Sequence, residues 1–191
     1  MDWTELIDAL GDRARAERAS AFRSDGPSAG LCGVYGWWAD DVARHAIEQA
    51  LGADVAPFIY VGKAGGAHSV QTFGARILGN HLNGSNRTST FRQSLTAILL
   101  SDPVFAAAHP NPRALAARQV VSSWMREHLA VAVVAVGGPE DIEAAEDAAI
   151  ARYDPPLNLR GVARTPSRMR LRELRRDLRR RVRAAASEDA L

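Results

Sequence analysis

Two tyrosines, each close to glycine, stand at the ends of apolar runs: Gly33-Val34-Tyr35 and Tyr60-Val61-Gly62-Lys63. Arg76 and His81 follow, and the series closes with Glu146 and, twelve residues on, Asn158. These side chains cover three needs of phosphodiester hydrolysis: a water made nucleophilic, charge stabilisation at the phosphate and help for the leaving oxygen. A phenol takes a proton from water only if its pKa falls well below about 10, which a nearby metal or cation can bring about. Arg76 can clamp a phosphate through two N–H groups. His81 can act as acid, proton relay or phosphate donor. Glu146 can ligate a divalent cation, and Asn158 can orient a loop or the metal site. Each also has a plain reading taken singly: strand-packing tyrosines, a solvated arginine, an idle histidine, an exposed helical glutamate beside Glu143 and Asp147, and an asparagine turn. The argument for chemistry is the ordered set.

The elements that must carry these residues follow from periodicity and punctuation. Residues 3–23 read as an amphipathic helix with Trp3, Leu6, Ile7 and Leu10 on one face, and residues 24–28 as a linker. Leu31 to Trp38 reads as a strand. Asp40-Asp41 caps a helix that Gly52 ends. Phe58 to Val61 is a second strand, and Gly62 opens a glycine-rich turn. Val70 to Leu82 reads as a helix. Thr88-Ser89-Thr90 caps another, stopped by Asp102-Pro103. A helix from about Arg113 to Leu129 leads into a valine-rich third strand, Ala130 to Val136. Pro139-Glu140-Asp141 opens the helix that carries Glu146, and Pro155-Pro156 leaves Asn158 extended. Few strands among many helices give an α+β fold, divided here into an N-terminal helix and linker (1–28), a central domain (29–162) and a basic C-terminal helix (163–191).

The net charge of +2 conceals an asymmetry. Residues 1–159 carry 13 basic against 18 acidic side chains, whereas residues 160–191 carry 11 arginines against Glu173, Asp177, Glu188 and Asp189. The basic charge is concentrated in a terminal helix, which suits a polyanion and a salt-dependent contact. A narrow stripe of Leu171, Leu174, Leu178 and Val182 within it calls for docking on the domain or on a partner chain. Lys63 is the only lysine. No apolar run reaches the roughly 18 residues of a membrane span, and the N-terminal stretch lacks a basic n-region, so no signal peptide is expected. The single cysteine, Cys32, forms no internal disulfide and suits a cytoplasmic location.

The motifs Gly33-Val34-Tyr35 and Tyr60-Val61-Gly62, followed in order by Arg76, His81, Glu146 and Asn158, resemble the GIY-YIG nuclease superfamily over roughly residues 31–160. The segment from Glu146 through Ile150 to Pro155-Pro156-Leu157-Asn158 is similar to that family's closing pattern. The resemblance implies a three-stranded antiparallel sheet flanked by helices and one divalent cation, Mg2+ or Mn2+, on Glu146. It implies Tyr35 as general base with Tyr60 in support, Arg76 on the phosphate and Asn158 as a buttress. His81 matches a position that carries histidine in restriction-type and homing-type members. Lys63 follows the second motif, as in the family, and is expected to contact phosphate or to lower a tyrosine pKa. The expected substrate is DNA, with Arg87 and Arg92 as further contacts. A homodimer, or two sequential nicks by a monomer, would serve two-strand cutting.

Two features depart from the family pattern. Residues 39–57 insert a helix between the tyrosine strands. Arg76 and His81 stand five residues apart, where four is usual, so a bulge or helix end must restore their alignment. Two other readings stand beside the nuclease: a non-catalytic nucleic-acid-binding protein on the same scaffold, and an adaptor working through its basic terminal helix.

Overall fold

In the computed structural model, which describes residues 3–188, the three apolar runs form the long strands of one antiparallel sheet. They are β2 (Gly33–Ala39), β3 (Phe58–Ala64) and β4 (Leu129–Ala135). The strand order is β1-β4-β2-β3, with β1 the two-residue strand Glu17–Arg18 paired to Val131 and Ala130. β2 is hydrogen-bonded on both sides, and all seven of its residues are buried.

The sheet therefore has four strands where three were expected. A two-residue strand carries too little alternation to be read from a sequence. It lies in a stretch that reads as helix, because the first helix, α1 (Thr4–Gly11), is shorter than residues 3–23. Asp12 diverts the chain by accepting the Ala14 N–H at 2.9 Å, and a single 3-10 turn leads into β1. β3 in turn runs past Gly62. Its ladder with β2 continues to Gly33 opposite Ala64, and Gly65 and Gly66, both at positive φ, make the reversal. Residues 1–2 and 189–191, the ends of the first and last expected segments, lie outside the described residues.

Helices cover both faces. Ile7 and Leu10 of α1 pack with Ala145 and Ala149 of α6 (Pro139–Tyr153) against Val34, Trp38, Phe58 and Val61. The other face, with Tyr35, Trp37 and Tyr60, carries the larger core. It is closed by α2 (Asp41–Leu51), a π-helix (Gly74–Leu82), α3 (Thr90–Leu99), α5 (Leu115–His128) and α7 (Pro166–Glu188). A short α4 (Pro103–Ala108), capped by Asp102, lies between α3 and α5. α2 is the inserted helix. Asp40 caps it through the Ala43 N–H, and Gly52 ends it in the left-handed conformation that glycine adopts without strain. The stripe on α7 docks on the domain: Leu171, Leu174 and Leu178 join the core of the larger face. At about 1.5–3 kcal/mol for each buried leucine, this is what holds a strongly basic helix against the body. Among the described residues no helix is long and apolar enough to cross a membrane.

Gly33 fixes the start of β2. It has φ +150°, and a Cβ there would collide with the Val134 carbonyl and stand 2.7 Å from the Val136 nitrogen. Both obstacles are backbone and cannot rotate away. Gly33→Ala is expected to lower the stability by about 2–3 kcal/mol through overpacking, read as a lower urea midpoint at unchanged slope.

Candidate active site

The sheet brings the two tyrosines to one face. Tyr35 pairs across β2 and β3 with Gly62, and Trp37 pairs with Tyr60. A Cβ on Gly62 would stand 2.5 Å from the Tyr35 hydroxyl, so the missing side chain makes room for the phenol. The motif glycines thus serve contacts within the protein: Gly33 admits the backbone of β4, and Gly62 admits the Tyr35 ring. Tyr35 is fully buried and Tyr60 is 9% exposed.

The next element solves the spacing problem. Arg76 and His81 lie in the π-helix, whose backbone bonds run from i to i+5. The closing bond, Asn83 N–H to the Leu78 carbonyl at 2.8 Å, shows that pattern. Residues five apart then stack as residues four apart do in an α-helix. His81 Nε2 lies 2.7 Å from the Tyr35 hydroxyl, and the charge of Arg76 acts on the same phenol. The Arg76 Nε is buried and has no partner among the described residues.

His81 continues inward. Its Nδ1 lies 2.6 Å from Ser89 Oγ, which also accepts the Arg92 N–H as the cap of α3. Two proton arrangements satisfy this chain. Either Nδ1–H donates to Ser89 and Nε2 accepts from Tyr35, or Ser89 donates to Nδ1 and Nε2–H donates to Tyr35. Tyr35, Trp37 and Phe91 meet the imidazole edge-on. Burial, and then the charges of Arg76 and Arg92, push its pKa well below the usual histidine value, so the ring is neutral. Burial likewise raises Tyr35, with Tyr60 adding to the effect and Arg76 opposing it. The resting site therefore holds a phenol and not a phenolate.

A carboxylate cluster adjoins the tyrosines. Lys63 of β3 reaches Glu146 of α6 at 2.9 Å, and it also hydrogen-bonds Glu143 one turn earlier. Burial raises the Glu146 pKa, and Lys63 counters the effect. The Glu146 charge is felt at Tyr35, Tyr60 and Arg76. An ammonium group between two carboxylates marks a place built to hold positive charge, so the donor set fits a divalent cation. Among the described residues no group of three or more metal-ligating side chains converges. That suits a cation bound by one carboxylate and otherwise by water and phosphate oxygens, the usual habit of Mg2+.

Asn158 works on the backbone. Its Oδ1 accepts the Val61 N–H and its Nδ2 donates to the Val61 carbonyl, both at 2.9 Å. β3 is an edge strand, so the amide completes its ladder between Tyr60 and Gly62. Arg168 of α7, 2% exposed, holds the turn that presents Asn158. It donates to the Asn158, Asp154 and Pro155 carbonyls and pairs with the Asp154 carboxylate at 2.6 Å.

The sequence did not single out Ser89, Glu143, Arg168 or Arg175 for these contacts. Ser89 was legible as a helix cap or a surface contact beside Arg87 and Arg92 and not as a partner of His81, Glu143 only as one of several glutamates, and the two arginines were lost among eleven. Arg175 donates to Gln93, and its charge reaches Tyr60. Arg92 needs a correction. It was expected at a nucleic acid surface, but it is 1% exposed and its guanidinium donates to the carbonyls of His81, Leu82 and Arg118. It clamps the end of the π-helix from inside. Arg87 lies exposed in the loop before α3.

A histidine held neutral by burial contributes stability that is complete above its unfolded pKa, near 6.5, and is lost as pH falls toward the folded value. Between pH 6.5 and 5.5 the wild type is expected to lose about 1 kcal/mol more than His81→Gln. Urea unfolding of both proteins at the two pH values measures the difference.

A family model for the GIY-YIG catalytic domain matches residues 33–179. No curated protein and no solved structure matches the chain. The matched span runs from the first motif glycine through the tyrosine strands, the π-helix, Glu146 and Asn158 and well into α7, and the chain belongs to the GIY-YIG family of nuclease domains.

Proposed function

We propose that this protein is a metal-dependent endonuclease that hydrolyses DNA phosphodiester bonds at a single-metal site. The observation that carries the reading is Arg76. A π-helix places Arg76 where its charge acts on Tyr35, and its Nε, like nitrogens of Trp37, Trp38 and Arg118, is buried without an acceptor among the described residues. A buried donor left bare costs about 1–3 kcal/mol, and a phosphate oxygen would satisfy it.

In this reading Arg76 seats the phosphate and Tyr35 takes the proton of the attacking water. The phenol is protonated at rest, so its deprotonation must be coupled to substrate. Burial is the main cause that keeps His81 neutral, with the charges of Arg76 and Arg92 adding to it; a phosphate on Arg76 offsets one of those charges, and His81 Nε2 then becomes a better acceptor for the Tyr35 proton. Tyr60 packs beside this chain and supports it, stacked on Phe91 at 4.6 Å. Glu146 would hold the cation, which supplies charge for the phosphate and the leaving oxygen. Lys63, already on Glu146, keeps that carboxylate ionised against its burial. Asn158 keeps β3, and with it Tyr60 and Gly62, in register.

The test is incubation with supercoiled plasmid in Mg2+ or Mn2+ and in EDTA. The wild type is expected to nick or cut only with metal, Glu146→Ala to do neither, and Tyr35→Phe to be slower by about 100-fold or more. Metal-independent cutting, or cutting kept by Glu146→Ala, would overturn the mechanism. Salt-sensitive DNA binding with no cutting under any condition would point to a binding protein on the nuclease scaffold.

A further inference from the structure

α7 does more than cover the core. Its exposed side and the segment after Asn158 enclose an open cavity of about 480 Å³, lined by Arg164, Arg172, Arg175, Arg176 and Arg179, with Glu173 the one acid among them. Glu173 pairs outside this set, with Arg170 at 3.4 Å. Arg172 donates to the Leu159 carbonyl and Arg175 to the Gln93 carboxamide, both neutral acceptors that fix a guanidinium without cancelling its charge. Arg175 feels Arg172 and Arg179 as repelling like charges, beneath a larger cost from its own burial. Folding has thus gathered cations that repel one another. Such an arrangement is stable only at a cost, which a bound polyanion removes.

The position of the cavity adds to its composition. Arg175 lies between the cavity and the site, because it lines the one and its charge reaches Tyr60 in the other. The cavity wall at Leu159 is next in sequence to Asn158. Arg175 and Arg76 are the two cations whose charges act on Tyr60. The remaining arginines do not share this arrangement: Arg168 is buried in the Asp154 turn, and Arg180 pairs with Asp177 at 2.8 Å.

We infer that the cavity between α7 and residues 159–164 is a phosphate-binding subsite that grips the DNA backbone beside the scissile phosphate, with Arg176 and Arg179 as its free contacts and Arg175 as its link to the catalytic tyrosines. This rests on the nuclease reading for the nature of the ligand but not on any catalytic step. The expected recognition is of the backbone, through the concentrated charge of the arginines.

The test is binding of a fluorescently labelled DNA duplex in EDTA, where no cutting intervenes, measured by anisotropy across a salt series. Arg176→Ala/Arg179→Ala removes two cavity cations. Arg181→Ala/Arg183→Ala removes the same charge from exposed positions of the same helix outside the cavity. All four side chains are exposed, and thermal melts verify that both variants fold. Losing two phosphate contacts is expected to make the slope of log K against log salt shallower by about 1.8, with roughly a tenfold or greater loss of affinity near physiological salt. The control pair is expected to lose less than a third of either effect. Equal losses in both variants would overturn the subsite in favour of a diffuse basic helix, and an unchanged slope in the cavity variant would overturn it outright. The plasmid assay answers separately: binding lost in the cavity variant while the wild type never cuts keeps the subsite and removes the nuclease, and cutting with an unchanged slope does the reverse.

Discussion

A buried hydrogen-bond chain, Tyr35 to His81 to Ser89, joins the central strand, the π-helix and the cap of α3. Each link limits the others. The imidazole can serve both partners only if the π-helix places it between them, and the π-helix ends where it does because Arg92 takes the carbonyls of His81 and Leu82. Arg92 itself is oriented from α3, whose cap is the same Ser89. The low dielectric around the chain strengthens satisfied hydrogen bonds and makes any unsatisfied one expensive. Among the described residues the Arg76 Nε is one of four buried donors left bare, with nitrogens of Trp37, Trp38 and Arg118.

The edge of β3 supplies a second constraint, held from outside the sheet. An edge strand leaves N–H and carbonyl groups open, and Asn158 satisfies both groups of Val61 with one amide. The amide is held by its turn, the turn by Arg168, and Arg168 by the leucine stripe that seats α7 on the core. A helix that reads as an appendage is thereby coupled to the register of the strand that carries Tyr60. The match of the family to residues 33–179 extends into this helix.

Much of the fold was legible. The three long strands, the inserted α2 with its Asp40 cap and Gly52 stop, and the helix carrying Glu146 all follow from periodicity and capping chemistry, which act over a few residues. β1 was not legible, because two residues carry no pattern, and α1 read too long because Asp12 ends it by a side-chain bond that competes with helix. The π-helix stood in the sequence only as an anomaly, a spacing of five where four is usual. The function of that extra residue depends on where the helix bonds close.

The sequence by itself determined the set of chemical groups, their order and the strands that carry the tyrosines, since local pattern and motif spacing are properties of the chain. Tertiary structure decided the protonation and the roles. Only packing could show that Tyr35 and His81 are buried and neutral, that Arg92 faces inward to carbonyls while Arg76 keeps a bare donor, and that Lys63 sits between Glu143 and Glu146. The reason is physical. Desolvation and Coulomb interactions depend on distances between residues far apart in the chain, and no local pattern records those distances.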